Sequence, residues 1–206
     1  ILVGSDGKRG VKTKVEPTLQ EAPGVYNDTI LAGLDYLLME MGKRKMLAVL
    51  YLNNSWEWSG GYGYYLEQAG FGKAPLPSID GYSAFRNFVA KYASCEKAHQ
   101  LFYDYVKFIL TRTNRYTKKK YKDDPAIMSW QIGNEPRAFS KEQLPAFEKW
   151  LGEASKLIRS LDKNHLISIG SEGKWGCEGE LNCWERICAD KNVDYCNIHL
   201  WPYNWS

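Results

Sequence analysis

The chain reads as an α/β protein and, among α/β folds, as an incomplete (β/α)8 barrel. Three observations predict this. Apolar runs of strand length alternate with stretches in which apolar residues recur at helical spacing, the order that builds a parallel sheet. No Gly-x-Gly-x-x-Gly loop follows any of the strands, which counts against an open nucleotide-binding sheet. Each predicted strand also runs into polar or aromatic residues at its C-terminal end, where a barrel gathers the groups that meet its ligand. Five strands can be counted.

Residues 1–3 (Ile1, Leu2, Val3) read as the end of a strand, with Ser5 and Asp6 behind it and a polar Gly/Lys-rich loop to Gly24. Ile30, Leu31, Leu34, Leu37, Leu38 and Met41 lie on one helical face, so a helix is expected over 26–42. Residues 46–52 form the second strand, ending in Asn53-Asn54 with Trp56 and Trp58 close behind. A long aromatic and glycine-rich loop follows, then helical segments over 82–92 and 96–116. Ala98, Leu101, Phe102, Tyr105, Val106 and Ile109 are the inward stripe of the second segment.

The third strand, 126–132, delivers Asn134-Glu135. Ser140-Lys141-Glu142-Gln143 has the form of a capping box opening a helix whose inward face is Phe147, Trp150, Leu151, Ala154, Leu157, Ile158 and Leu161. A fourth strand over 166–170 leads to Ser171-Glu172. A fifth, 193–199, ends in His199 with Trp201, Tyr203 and Trp205, and the stretch between the two reads as irregular. The whole of 1–206 is taken as one partial barrel domain.

With 206 residues, 44% of them hydrophobic, the chain has material for one sizeable core. A formal charge of +3 is too mild to argue for nucleic acid. The dense basic run Lys118-Lys119-Lys120 with Lys122 follows a predicted helix and reads as its solvated C-terminal end. No run approaches the roughly 18 apolar residues that a membrane span requires. Aromatic residues make up 14% of the chain, many at loop starts, where their faces suit either the C–H faces of sugar rings or ordinary packing.

Five cysteines are an odd number, so at least one is unpaired within the chain. The spacing of Cys177, Cys183, Cys188 and Cys196 does not match paired zinc ligands; they read as buried thiols, with a Cys177–Cys183 bridge as the alternative. The sequons at Asn27, Asn53 and Asn204 are too common a pattern to establish glycosylation.

The chemistry concentrates at Asn134-Glu135-Pro136. A carboxyl group at the mouth of a strand, beside an amide able to hold a hydroxyl, suits general acid/base work on a sugar. The alternative is a glutamate that merely caps the helix behind it. Successive residues of a regular strand face opposite ways, so Asn134 and Glu135 can share a ligand only if the strand end twists or bulges.

Three strings carry a resemblance. They are Tyr51-Leu52-Asn53-Asn54-Ser55-Trp56-Glu57-Trp58-Ser59-Gly60-Gly61; Tyr121-Lys122-Asp123-Asp124-Pro125 through Asn134-Glu135-Pro136-Arg137; and His199-Leu200-Trp201-Pro202-Tyr203-Asn204-Trp205. Together they resemble glycoside hydrolase family 5, most of all its endo-β-1,4-mannanases, over nearly the whole chain. The resemblance implies a retaining glycosidase acting on mannan, galactomannan or glucomannan, needing neither cofactor nor metal. Glu135 would be the acid/base and Asn134 would hold the sugar 2-hydroxyl. His199 would orient the catalytic carboxylates, or else be a satisfied buried histidine. Arg137 would meet a sugar on the leaving-group side, or form a surface salt bridge. Trp56 and Trp201 would be stacking platforms, with Asn54 and Glu172 as hydroxyl partners; Trp175, Tyr203 and Trp205 are weaker candidates. His99 and His165 read as structural.

The chain departs from the family at His199-Leu200-Trp201, where many members have His-x-Tyr. The family arginine of strand two would lie just before Ile1. The family nucleophile, a glutamate ending strand seven, would lie beyond Ser206, and Glu57, Glu172 and Asp194 do not fall at its position. The expectation is therefore strands two to six of a longer polypeptide, inactive as an isolated segment, a monomer when complete, and secreted or periplasmic because its substrate is a polymer. The remaining alternatives are another family 5 glycanase such as an endo-β-1,4-glucanase, a non-catalytic carbohydrate-binding fragment, and an unrelated α/β protein in which Asn-Glu-Pro is incidental.

Overall fold

Three parallel strands form the centre of the computed structural model, which describes residues 1–7 and 14–202. In chain order the strands and α-helices are β1 (Gln20–Ala22), β2 (Val25–Tyr26), α1 (Asp28–Lys43), β3 (Ala48–Tyr51), α2 (Gly61–Ala69), α3 (Pro77–Asp80), α4 (Tyr82–Val89), α5 (Glu96–Thr111), β4 (Ile127–Gln131), α6 (Leu144–Leu161), β5 (Leu166–Ser168) and α7 (Leu181–Cys188). The central sheet runs β3-β4-β5, with Tyr51 opposite Gln131 and Gln131 opposite Ser168. One residue continues it at each edge: Leu2 bridges Tyr51 in parallel, and Tyr195 bridges Ser168 in parallel. Five chain segments thus lie side by side in sequence order, the arrangement of consecutive barrel strands.

The sheet is narrower than the sequence suggests. The segment 193–199, expected as a strand, pairs only through Tyr195. Side chains take the places its backbone would fill: Asp194 Oδ2 accepts the Ile167 N–H at 2.7 Å, and Asn197 Oδ1 accepts the Gly170 N–H at 3.0 Å.

The helices follow from their sequences. Asn27 caps α1 by accepting the N–H groups of Thr29 (3.1 Å) and Ile30 (3.2 Å). The α5 stripe of Ala98, Phe102, Tyr105, Val106 and Ile109 is buried, each large member contributing about 1.5–3 kcal/mol relative to exposure. The helix stops at Thr111, short of the expected 116. Arg112 leaves it in an extended conformation and sends its guanidinium to the fully buried Asp35 of α1, where Arg115 and the Tyr121 hydroxyl also bind. A tight turn capped by Asn114 then pairs Thr113 with Lys120, so Lys118, Lys119 and Lys120 lie in the turn and return arm of this hairpin and not on the helix end.

Five other expectations change. The first loop contains the β1–β2 hairpin, and the aromatic loop contains α2 and α3. The stretch 171–192, read as irregular, holds a 3-10 turn (Gly173–Cys177) and α7. Ser140 makes no side-chain cap; a 3-10 turn over Lys141–Gln143 leads in, and α6 starts with Pro145 in its first turn. Cys188 and Cys196 are joined by a disulfide, with Cα atoms 5.7 Å apart, while Cys95, Cys177 and Cys183 are buried thiols with no disulfide between them in this structure. Tyr203, Asn204 and Trp205 lie outside the described residues.

The aromatic content is mostly core. Tyr62 stacks on Tyr92 at 3.9 Å, and Trp150 meets both edge-on. This cluster backs the sheet behind the C-terminal ends of β3 and β4: Asn53, two residues past β3, donates to the Tyr92 hydroxyl at 3.2 Å. No helix among the described residues is long and apolar enough to cross a membrane.

Candidate active site

The segments that follow β3, β4 and β5 climb together before they diverge. Asn134 N–H donates to Asn53 O and Glu135 N–H to Gly170 O, both at 2.9 Å, so the Asn-Glu pair is held from both sides. Gly170 has φ +84°, and a Cβ there would stand 1.8 Å from Gly133 O. That crossing admits only glycine.

Glu135 itself has φ +50°, a left-handed conformation rare for a residue with a side chain. It costs about 1–3 kcal/mol and resolves the problem posed by strand alternation. β4 ends at Gln131, a last parallel bridge joins Asn134 to Asn54, and the backbone turns at Glu135, so both Asn134 and Glu135 line the same cleft. That cleft has a volume of about 590 Å³, and Trp56, Glu57, Trp58, Pro77, Tyr82, His199 and Trp201 complete its lining.

The Glu135 carboxylate is fixed at both oxygens. The Trp56 indole N–H donates to Oε2 at 2.7 Å, and His199 Nδ1 lies 2.8 Å from Oε1. The Ser55 hydroxyl donates to the Glu135 carbonyl at 2.6 Å. An indole N–H can only donate. Oε2 therefore accepts, while the His199 nitrogen beside Oε1 can accept or donate according to its tautomer.

Trp56 is more constrained than a free stacking platform. Its ring lies near Tyr82 and Phe85, meets Phe139 edge-on at 5.5 Å, and carries the Arg137 guanidinium 5.5 Å from its centroid. Arg137 is ion-paired with Glu172, whose side chain is 6% exposed. Burial lowers the Arg137 pKa, an effect opposed by Tyr82, Glu178 and Glu135. Neither Arg137 nor Glu172 lines the cleft. Their ion pair and the guanidinium over the indole ring place them behind Trp56.

Asn54 is likewise fully buried. It donates to Ser59 Oγ at 2.9 Å and accepts from the Trp56 backbone and from Asn134 Nδ2 at 3.3 Å. It positions Asn134 from behind and has no exposed surface to offer a hydroxyl. Trp201, in contrast, is 55% exposed at the rim and free to stack.

Of the other carboxylates, Glu172 belongs to Arg137, and Asp194 is engaged with Arg159 and the start of β5. Glu57 lines the cleft on the turn after Trp56. Trp58 stands among the aromatic residues expected behind the second strand, and Pro77 and Tyr82 join it without any sequence signal. The fold of the aromatic loop brings these two in.

The family model described as GH family 5 beta-mannosidase-like matches residues 1–206. The chain belongs to glycoside hydrolase family 5. Among curated relatives, mannan endo-1,4-beta-mannosidase 4 of Solanum lycopersicum is 35% identical over 196 residues, covering 91% of this chain and 47% of its own length. The family 5 mannosidase of Rhizomucor miehei is 35% identical with a TM-score of 0.87, over 99% of this chain and 48% of that one. The endo-1,4-beta-mannanase of the same organism is 26% identical with a TM-score of 0.76, over 99% of this chain and 58% of that one. The family 5 barrel is therefore the fold, seen here in part. The chain spans about half the length of the curated relatives it matches.

Proposed function

We propose that the protein to which these residues belong is a retaining endo-β-1,4-mannanase with Glu135 as its acid/base. The observation that carries the reading is the clamped carboxyl: a glutamate at a broken strand end, held at Oε1 by His199 and at Oε2 by Trp56, beside Asn134 in an aromatic-walled cleft. The names of the relatives supply the substrate class, a mannan-type polysaccharide.

In the first step a nucleophilic carboxylate attacks the anomeric carbon while Glu135 gives its proton to the departing glycosidic oxygen. In the second, Glu135 takes a proton from the water that releases the sugar. Retention requires the two carboxyl groups to stand about 5–5.5 Å apart. Glu172 and Asp194 are committed elsewhere, and Glu57, although it lines the cleft, does not fall at the family's nucleophile position, so we assign the nucleophile to a carboxylate outside residues 1–206. Asn134, beside the acid/base, would hold the 2-hydroxyl. Trp201 and Trp58 would stack on ring faces.

A second reading is exo-acting removal of single mannosyl units, favoured by the higher identity and TM-score to the Rhizomucor miehei mannosidase than to its mannanase. Viscosity and product length on galactomannan separate the two. Endo cleavage collapses viscosity and gives a ladder of oligosaccharides; exo cleavage releases mannose with little early loss of viscosity. Carboxymethyl cellulose run in parallel reports on glucanase activity. Glu135→Gln should lose at least about 10²–10⁴-fold in turnover, the contribution of a positioned general acid. Undiminished cleavage by that variant would remove Glu135 from the role. We also propose that the protein works outside the cell, a reading supported by a polymeric substrate and by the Cys188–Cys196 disulfide, which suits an oxidising compartment.

A further inference from the structure

Cys177 and Cys183 are both buried, at 2% and 1% exposure, and their sulfurs lie 2.7 Å apart. That is well inside the roughly 3.5–4.0 Å at which even non-bonded carbon atoms rest, and sulfur is the larger atom. A covalent bond is the arrangement that accommodates two sulfurs so placed. We propose that Cys177 and Cys183 form a second disulfide, closing the connection between β5 and α7.

The backbone is built for it. Cys177 ends the Gly173–Cys177 turn and Cys183 lies in the first turn of α7. Between them Glu178 (φ +51°) and Gly179 (φ +89°) reverse the chain. The Gly179 N–H reaches Lys174 O at 3.0 Å and the Glu180 N–H reaches Cys177 O at 2.9 Å, so the two thiols face each other across a closed turn. At the other end of α7 stands the Cys188–Cys196 bond. With the second link, α7 is fastened at both termini.

The site depends on this connection. It begins with Glu172, the partner of Arg137. Gly176 O accepts the Ala138 N–H at 3.0 Å, and a Cβ on Gly176 would stand 2.7 Å from Pro136 O. The bond therefore pins the surface on which the turn after Glu135 rests. The chemistry balances by thiol–disulfide exchange: each cysteine yields one proton and one electron, and a small-molecule disulfide of the glutathione class accepts both pairs and leaves as two thiols. Once formed, the bond is sheltered from further exchange by its burial.

The test is a thiol map of the whole protein refolded from its reduced form in glutathione disulfide, so that the thiols meet the oxidant before they are buried, then denatured at low pH and alkylated with N-ethylmaleimide without reductant. Trypsin cuts after Lys174 and Arg186, so both cysteines fall in one peptide, residues 175–186. The expected peptide carries no adduct and is about 2 Da lighter than the dithiol. It takes up two adducts only after reduction, while Cys95 is labelled throughout. Two adducts without reduction, a glutathione adduct on either cysteine, or a link from either to Cys188, Cys196 or Cys95 would overturn the proposal. The readout is a mass and does not depend on the activity assigned above.

Discussion

Glu135 is a general acid only as long as something aims it. Trp56 is the informative partner because its indole N–H is a single donor on a single oxygen, at 2.7 Å. Trp56→Phe keeps an aromatic ring among Tyr82, Phe85 and Phe139 and deletes that bond, at the cost of part of the surface on which Arg137 rests. A hydrogen bond to a charged group is worth about 1.5–3 kcal/mol, so kcat should fall roughly tenfold or more with little change in KM. Steady-state kinetics with a melting curve as control would decide it; an unchanged kcat in a folded variant would return Trp56 to the role of a sugar platform. Glu135, Asn134, His199 and Trp201 were legible because each follows an apolar run that reads as a strand and has other polar or aromatic groups beside it. It gave no warning that Arg137 and Glu172 would pair with each other, since 35 residues separate them and only the fold brings the two loops together.

Long amphipathic helices were readable for a physical reason: α1, α5 and α6 each bury one face and wet the other. The helix α2 was not, because Tyr62, Gly63, Tyr64, Tyr65 and Leu66 are all buried and a segment buried all round shows no 3.6-residue alternation. Where loops cross, single atoms decide. Gly170→Ala would place a methyl group 1.8 Å from Gly133 O at a φ of +84°, and should destabilise the fold by about 3 kcal/mol or more, visible as a lowered denaturation midpoint. The turn joining α6 to β5 makes a pH prediction. Burial would raise the Asp162 carboxyl, but bonds from His165, Trp130 and Asn164 outweigh it and hold it at about 2. Burial likewise works against the His165 cation, and the Asp162 bond outweighs it, so its pKa is raised above 6.5. A raised folded-state pKa stabilises fully below the unfolded value and fades as pH rises through the folded one. The stability gap between wild type and His165→Gln should thus be widest below pH 6.5 and shrink on the alkaline side. A gap that widens with pH would contradict the pairing.

The edges of the sheet place the greatest demand on the fold. At one edge Asp6 is fully buried, and desolvation pushes its carboxyl up to about 8 against the pull of Lys14. Its protonated form is the stable one, so the fold should lose stability as pH climbs from about 4 towards 8, and Asp6→Asn should flatten that slope in denaturant titrations. At the other edge the chain leaves the sheet after one bridge, and Leu166, Ile198, Leu200 and Trp201 are 42%, 51%, 66% and 55% exposed. Met46 and Leu47, before β3, are exposed as well. A sheet with unpaired backbone on both sides and apolar residues along its rim is a template for pairing with other chains. Relatives in which the matching region is about half the length have further chain available to cover such edges. Residues 1–206 expressed alone should therefore associate with rising concentration and bind a hydrophobic dye, whereas a polypeptide extended to the length of those relatives should not. Sedimentation velocity across a hundredfold concentration range measures this. A single monomeric boundary for the short segment, with no dye binding, would mean that the edges are satisfied within residues 1–206 and that the segment is a self-sufficient unit.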